Sequence, residues 1–285
     1  MISDRTNVVI FSCNRACQVH ACLQSFYKHF KSEEEPTVTI IWKATSEVFR
    51  KGYEKVQSHF PESEYLIWDE EVNFRSQTIK GVRGFPWAPS QFTMFLVDDI
   101  IFVNDVSTSD KQFDLIRNNV LMLGLSLRLH DGVTRCYATN EDTKVPKFVK
   151  GCVWSWVGCQ GDWGYPMSVD GNIFNTEFIN SLVETTEYNN PNTFEAALDM
   201  ASKRPDTPDY LSCYPEGPRL INIPANRVQS QYKNRFAKGF TPEELNEKYL
   251  EGKLIDIDSY KGVKPSTVHV PVEIKFANSS KKGKS

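Results

Sequence analysis

The stretch FLVDDIIF, residues 95–102, inserts two adjacent carboxylates, Asp98 and Asp99, into an otherwise apolar run. The segment that contains its start, Gln91–Val97, predicts a buried strand that ends at the two aspartates. Two like charges at the end of a buried strand cost free energy unless a cation or hydrogen-bond donors compensate them. Because ligands of open α/β sheets bind beyond the carboxyl ends of the strands, the pair predicts a ligand site with a divalent ion. The alternative is a helix N-cap at one of the two aspartates.

Strands and helices alternate on the amino-terminal side of this pair. Continuous apolar runs predict buried strands at Val8–Ser12, Val38–Trp42 and Tyr65–Trp68. Helical spacing predicts helices at Arg15–Phe30, Glu47–Phe60 and Phe74–Val82. Strands separated by such helices imply right-handed crossovers. The sequence therefore predicts an α/β fold of the Rossmann-like kind, with a mainly parallel central sheet flanked by helices.

The chain is less regular after the pair. Val120–Leu129 predicts a further strand, and Val145–Pro166, rich in tryptophan and glycine, predicts a pocket wall. The residues Thr241-Pro242-Glu243-Glu244 combine an N-cap, a proline at the first helical position and a glutamate three residues after the cap. They predict a helix that runs to about Gly252.

Composition indicates one enzyme-sized domain. With 285 residues, 40% of them hydrophobic, the chain can bury one substantial core. Its 33 basic and 36 acidic side chains are interspersed, so no surface for nucleic acid is predicted. No stretch approaches the roughly 20 apolar residues of a membrane span. The seven cysteines form no C-x-x-C pair, which favours a cytoplasmic protein without a disulfide framework or a structural zinc site.

The segment after the first strand, SCNRAC at residues 12–17, does not fit the glycine-rich nucleotide loops. A dinucleotide-binding oxidoreductase needs glycines there so that the backbone can approach a pyrophosphate. The chain also lacks the G-x-x-x-x-G-K-[ST] pattern of phosphate-binding loops. A bound nucleotide must therefore be held in another way.

The buried strand that ends in Val97-Asp98-Asp99 resembles the D-x-D-type motif of glycosyltransferase-A-type nucleotide-sugar glycosyltransferases, in particular small bacterial and viral members. The start VVIFSCNRACQVHACLQSF, residues 8–26, resembles the first strand, base-binding loop and helix of that family. The resemblance implies one glycosyltransferase-A-type domain over residues 1–275. Its nucleotide-binding half would extend to about residue 105 and its acceptor-binding half over about 106–275, while residues 276–285 are predicted to be a disordered tail.

The resemblance also implies a metal and donor contacts. Mn²⁺ or Mg²⁺ would be bound by Asp99, with Asp98 directed at the ribose or the metal. The residues implied beside the nucleotide or its phosphates are Ser12, Arg15 and Lys80. The acidic residue that such enzymes often carry after their second strand is replaced by Lys43-Ala44, so a uridine preference is not predicted.

A late cluster of donors, LINIPANRVQSQYKNR at residues 220–235, follows a predicted strand. Its polar and basic side chains are suited to a diphosphate leaving group whose charge develops during reaction. The nucleotide-sugar contacts predicted there are Asn226, Gln229, Lys233 and Arg235. The cluster resembles a closing segment of the family that often presents a metal-binding histidine, but the nearest one downstream, His269, is distant in sequence. An ordinary solvated basic turn is the alternative.

Two aspartates in GDWGYPMSVDGNIF, residues 161–174, are candidates for a catalytic base. Aromatic rings beside carboxylates suit a sugar, and an inverting transfer needs one carboxylate to take the proton of the acceptor hydroxyl. We favour Asp170 over Asp162 for this role. An Asx-turn with the adjoining glycine is the alternative for either residue.

These features together predict an enzyme that moves a sugar from a nucleoside diphosphate sugar to a glycan or another hydroxyl acceptor. Inversion is the expected outcome if one of the two aspartates is the base, and a retaining transfer stays open. One alternative is a nucleotidyltransferase of similar fold, which is expected to have a glycine-rich basic loop after its first strand. The other is a catalytically inactive sugar-binding module, which would bind saccharide without needing a metal.

Overall fold

The structure is a computed structural model that describes residues 4–224 and 239–277. In these ranges the helices are α1 (Ala16–His29), α2 (Glu47–His59), α3 (Phe74–Arg83), α4 (Lys111–Asn118), α5 (Thr176–Thr185), α6 (Pro191–Ser202) and α7 (Pro242–Leu250). The strands are β1 (Thr6–Cys13), β2 (Phe30–Lys31), β3 (Thr37–Lys43), β4 (Leu66–Glu70), β5 (Phe92–Val97), β6 (Ile100–Phe102), β7 (Val106–Ser107), β8 (Met122–Ser126), β9 (Val153–Ser155), β10 (Asn172–Asn175), β11 (Tyr210–Ser212) and β12 (Leu220–Asn222). Every strand and helix predicted before Asp98 is present, with small shifts at the ends.

Within the described residues, the central sheet has eight strands in the order β4-β3-β1-β5-β10-β8-β11-β9. Strands β4, β3, β1 and β5 run parallel, as the helical crossovers between them require. Strand β10 is antiparallel to both β5 and β8, whereas β8 and β11 are parallel. The predicted α/β class with a mainly parallel central sheet flanked by helices is confirmed.

Both faces of the first strand are buried. Val8 and Ile10 pack into one hydrophobic cluster, and Val9 and Phe11 pack into a second one on the opposite face. This two-sided burial explains why the strand reads as a continuous apolar run rather than an alternating one. The predicted strand at Val120–Leu129 is shorter in the structure, because Val120 and Leu121 are exposed before β8 begins.

The direction of β10 brings separate parts of the chain together. Since β5 and β8 are both antiparallel to β10, their carboxyl ends lie at the same sheet edge as the amino end of β10. Asp98 follows β5, Arg128 follows β8, and Asp170 precedes β10. The Gly171 amide donates a hydrogen bond to the Phe95 carbonyl at 2.8 Å, which fixes the approach to β10 beside β5.

The carboxyl-terminal part packs back onto the sheet and the first helices. Helix α7 begins with the capping box predicted at Thr241. It packs tightly on α2, where a Cβ atom at Gly52 would come within 2.1 Å of Asn246 Oδ1. Further on, the Val270 amide donates to the Asn222 carbonyl at 2.8 Å, so the segment around residue 270 lies alongside β12.

The remaining global features concern cysteines and membrane spans. All seven cysteines are free. Among residues 4–224 and 239–277, no helix is long and apolar enough to cross a bilayer.

Candidate active site

Asp98 and Asp99 lie directly after β5, and their side chains are only 5% and 9% exposed. Strand β6 begins at Ile100, so neither aspartate caps a helix. Asp98 Oδ2 accepts a hydrogen bond from the Cys13 amide at 3.2 Å. Asp99 Oδ1 accepts one from Asn222 Nδ2 at 2.8 Å. The end of β1 therefore supplies a donor to Asp98, and β12, which pairs with β6, supplies one to Asp99.

Arg15 pairs with both aspartates. Its Nη1 atom lies 3.0 Å from Asp98 Oδ1 and 3.2 Å from Asp99 Oδ2. The residue is the N-cap of α1, and its amide donates to the Tyr53 hydroxyl at 3.2 Å. That hydroxyl lies 2.6 Å from Ser12 Oγ. Ser12 and Arg15, both predicted beside the nucleotide, thus border the carboxylate pair.

Asp170 reaches the same edge and is bound by two partners. Arg128 Nη1 lies 3.1 Å from Asp170 Oδ2, and His269 Nε2 lies 3.3 Å from the same oxygen. The Arg128 side chain is 6% exposed, so this is a buried ion pair. The ring of Tyr137 packs against His269 with centroids 4.9 Å apart.

A further buried carboxylate, Glu195 of α6, lies behind Asp170. Arg128 Nη2 donates to Ser168 Oγ at 2.7 Å, and that hydroxyl donates to Glu195 Oε1 at 2.8 Å. The Val169 amide donates to the same glutamate oxygen at 3.0 Å. These bonds hold the segment before β10 in one conformation.

The cluster has an excess of negative charge, since the four carboxylates described above face two guanidinium groups. Burial, together with the charges of Asp98 and Asp170, raises the pKa of Asp99 to about 6 against the lowering effects of Arg15 and His269. Burial also raises the pKa of Asp98 and that of Glu195. Ionisation of these carboxylates in a buried region therefore costs free energy unless additional positive charge is supplied.

The pKa of Asp170 shifts in the opposite direction from those of Asp98, Asp99 and Glu195. Burial by itself would raise its pKa, but the charge of Arg128, followed by the hydrogen bond and charge of His269, lowers the pKa below the ordinary value. The Asp170 carboxylate is therefore ionised at neutral pH.

A divalent cation fits the chemistry of this cluster. Carboxylate oxygens are the ligands that Mg²⁺ and Mn²⁺ prefer, and a buried excess of negative charge is what such an ion neutralises. In the described part of the chain, no three His, Cys, Asp or Glu side chains are grouped so that they could hold a metal as they stand. Arg15 supplies positive charge to Asp98 and Asp99 by pairing with both.

The other predicted site residues lie apart from this cluster or outside the described residues. Asp162 is in the 3-10 helix Gly161–Gly164, and its Oδ2 is buried without a hydrogen-bond partner. Lys80 is 69% exposed and pairs with Asp69 at 3.6 Å. The predicted contacts that fall outside the described residues are Asn226, Gln229, Lys233 and Arg235.

Four residues of the cluster were not assigned from the sequence, and one of them, Glu195, lies in α6 with no motif around it. Arg128 had a usable signal, because it is a basic residue within the apolar run Val120–Leu129. Asn222 had a weaker one, as a polar residue in a short buried strand. His269 was noted as the nearest histidine downstream of the late donor cluster but was not assigned, because its approach to Asp170 depends on the return of the chain along β12.

One curated relative is a bifunctional glycosyltransferase, pgtA of Dictyostelium discoideum. It is 25% identical to this chain over an alignment of 293 residues, which covers 89% of this chain and 36% of the relative. The chain thus corresponds to a minor part of that relative's length. No protein-family model matches the chain. The resemblance to glycosyltransferases read from the sequence is confirmed by this relative.

Solved structures with some likeness include residues 1–349 of S. aureus TarS, with a TM-score of 0.46 and 12% identity over 76% of this chain and 59% of that one. The same protein in complex with UDP gives a TM-score of 0.45 at 12% identity, over 76% of this chain and 59% of that one. The 4-diphosphocytidyl-2C-methyl-D-erythritol synthase of Anaerococcus prevotii DSM 20548 gives 0.40 at 10% identity, over 75% of this chain and 88% of that one.

Proposed function

We propose that this chain is a glycosyltransferase that moves a sugar from a nucleoside diphosphate sugar to a hydroxyl group of a glycan or another acceptor. The observation that carries the proposal is the meeting of an ionised carboxylate, Asp170, with the buried pair Asp98 and Asp99 at one sheet edge. A base beside a site for a charged leaving group is what an inverting transfer needs. The similarity to part of a bifunctional glycosyltransferase supports the same reaction class.

Asp170 acts as the general base in this proposal. Its recorded contacts with Arg128 and His269 both use Oδ2, so Oδ1 is the atom suited to receive the acceptor hydroxyl. The lowered pKa keeps the carboxylate ionised at neutral pH. As the acceptor oxygen bonds to the anomeric carbon, its proton passes to Oδ1, and the electron pair of the broken glycosidic bond leaves with the diphosphate. Attack opposite the leaving group inverts the anomeric centre.

The diphosphate side is assigned to Arg15 and the amino end of α1. The helix starts with no side-chain cap and no acidic residue in its first turn, so the dipole at its positive end favours an anion. A guanidinium group at the same point adds charge-assisted hydrogen bonds to phosphate. A divalent Mn²⁺ or Mg²⁺ held by Asp98 and Asp99 would, when bound, stabilise the charge that develops on the leaving diphosphate.

A thermal-shift panel tests the proposal. Nucleoside diphosphates and their sugar conjugates are each added with and without Mn²⁺ to the full chain. A ligand at about 100 times its dissociation constant adds about 2.7 kcal/mol to the stability of the folded state. We expect a shift with at least one nucleotide sugar, followed by release of its nucleoside diphosphate when acceptor saccharides are supplied.

The two alternatives predict different results in the same panel. A nucleotidyltransferase would respond to a nucleoside triphosphate with a sugar phosphate and would release pyrophosphate. An inactive sugar-binding module would respond to free saccharides and to no nucleotide. Either pattern would contradict the proposed transfer.

A further inference from the structure

We infer that Arg15 is an internal counter-ion that occupies the cation-binding oxygens of Asp98 and Asp99, so that the divalent cation and the diphosphate displace it together. The inference rests on the proposed function for the identity of these two ligands. It concerns how their binding is coupled, which the proposed reaction by itself does not require.

One guanidinium nitrogen serves both carboxylates. Arg15 Nη1 lies 3.0 Å from Asp98 Oδ1 and 3.2 Å from Asp99 Oδ2, so it stands between the two oxygens. A divalent cation held between the two carboxylates would take the place of this nitrogen. Arg15 and the cation therefore compete for one position.

The other two oxygens are oriented without Arg15. The Cys13 amide donates to Asp98 Oδ2, and Asn222 Nδ2 donates to Asp99 Oδ1. The two donors belong to β1 of the central sheet and to β12 of the small β6-β12 sheet rather than to α1. If the Arg15 side chain leaves, the carboxylates therefore stay in place and keep two oxygens directed at an incoming ion.

The Arg15 side chain could pair with an anion at the start of α1 instead of with the two carboxylates. Arg15 is the N-cap residue of α1, at the positive end of a helix whose first turn carries no acidic residue. Its side chain is only 11% exposed, so it would leave the carboxylates only if another charge takes over. A diphosphate at the start of α1 supplies that charge while the cation takes the vacated oxygens.

Positive linkage between the two ligands follows. Either ligand alone must break the pairing of Arg15 with the carboxylates. When both bind, the cation pairs with the carboxylates and the diphosphate pairs with Arg15. By reciprocity, the factor by which the diphosphate raises cation affinity equals the factor by which the cation raises diphosphate affinity. Typical coupling of this kind is about 5- to 150-fold.

The direct test is Mn²⁺ binding by the full chain without nucleotide, measured by titration calorimetry and by the electron paramagnetic resonance signal of free Mn²⁺. Arg15→Met removes the competing charge and should raise Mn²⁺ affinity at least about fivefold. Arg15→Lys keeps a cation there and should stay close to wild type. If the methionine variant does not fold, Arg15→Gln replaces it with the same expectation.

Arg128→Met is the matched control, because it removes another largely buried arginine, one that pairs with Asp170 instead. It should raise Mn²⁺ affinity clearly less than Arg15→Met. An equal increase in both variants would mean that only net charge matters, and this would overturn the inference. Unchanged or weaker Mn²⁺ binding in Arg15→Met would overturn it as well.

The second measurement uses UDP and GDP with and without Mn²⁺. In the wild type, Mn²⁺ should raise the affinity of the nucleotide that binds, and this coupling should shrink toward one in Arg15→Met. Nucleotide binding that is independent of Mn²⁺ in the wild type would overturn the inference and leave the proposed transferase intact. If no nucleotide or nucleotide sugar binds at all, the proposed function fails, while the Mn²⁺ affinities of the variants still decide the counter-ion role.

Discussion

Replacing Asp170 with asparagine tests the proposed base at nearly constant side-chain volume. An amide cannot take the proton of the acceptor hydroxyl, so turnover should fall about 100-fold or more, the usual scale of a general-base contribution. A 100-fold loss corresponds to about 2.7 kcal/mol of transition-state stabilisation. Donor affinity should change little, because the diphosphate contacts are assigned to Arg15 and α1.

The same substitution should lower stability by an amount that follows from the contacts. Asp170 forms a buried ion pair with Arg128 and a contact with His269, both at Oδ2. Breaking a buried ion pair from one side costs about 3–5 kcal/mol. The asparagine oxygen can keep one hydrogen bond, which returns about 1 kcal/mol. Urea unfolding should therefore show a loss of about 2–4 kcal/mol.

Asp162→Asn is the matched control. It alters an aspartate of the same aromatic and glycine-rich segment that makes no recorded contact with Asp98, Asp99 or Asp170 in the described residues. Its turnover should stay near wild type, and NMR of the product should show an inverted anomeric configuration. An inactive Asp162→Asn with an active Asp170→Asn would reverse the assignment. A retained configuration would remove the need for a base at Asp170.

Three other changes have defined outcomes. Asp99→Asn should abolish the Mn²⁺-dependent thermal shift with nucleotide while leaving the fold intact, and equal nucleotide affinity in the variant would argue against metal binding. Replacing Lys233 and Arg235 together with alanine should weaken binding of the nucleoside diphosphate product but not of the acceptor, as measured by calorimetry. Burial against Tyr249 lowers the pKa of His20 from the ordinary 6.5 to about 4, so the unfolded chain binds more protons between these values. Stability present above pH 6.5 is therefore lost as the pH falls toward 4, by about 2 kcal/mol at pH 5; His20→Gln should remove this part of the dependence in urea unfolding.

The fold of the first hundred residues could be predicted because its signals are local. Buried parallel strands such as β1 and β5 read as continuous apolar runs, and the helices between them show a 3.6-residue spacing. The adjacent carboxylates Asp98 and Asp99 also predicted a ligand site from local sequence, because two charges at the end of such a run need compensation. Even α7 was marked by its own capping residues at Thr241 and Glu244.

The assembly of the site could not be predicted in the same way. Strand β10 runs against its neighbours, and nothing in Asn172–Asn175 indicates which strands it joins. The contacts of Asp170 with Arg128 and His269 depend on that placement and on the return of the chain along β12. The compensation of Asp98 and Asp99 by Arg15 was also missed, because a pattern predicts that positive charge is needed without telling which group supplies it.

The antiparallel insertion of β10 has a consequence for the order in which the protein folds. Strands β1, β3, β4 and β5 come from one continuous stretch of chain, whereas β10 must enter between β5 and β8. Contacts between residues that are distant in sequence form late, because the entropy of closing a long loop is lost before they stabilise anything. Asp170 should therefore join Asp99 near the end of folding. A partly folded chain in which β10 has not yet entered the sheet would contain the residues assigned to the donor without the base. Such a chain would not turn over its substrate.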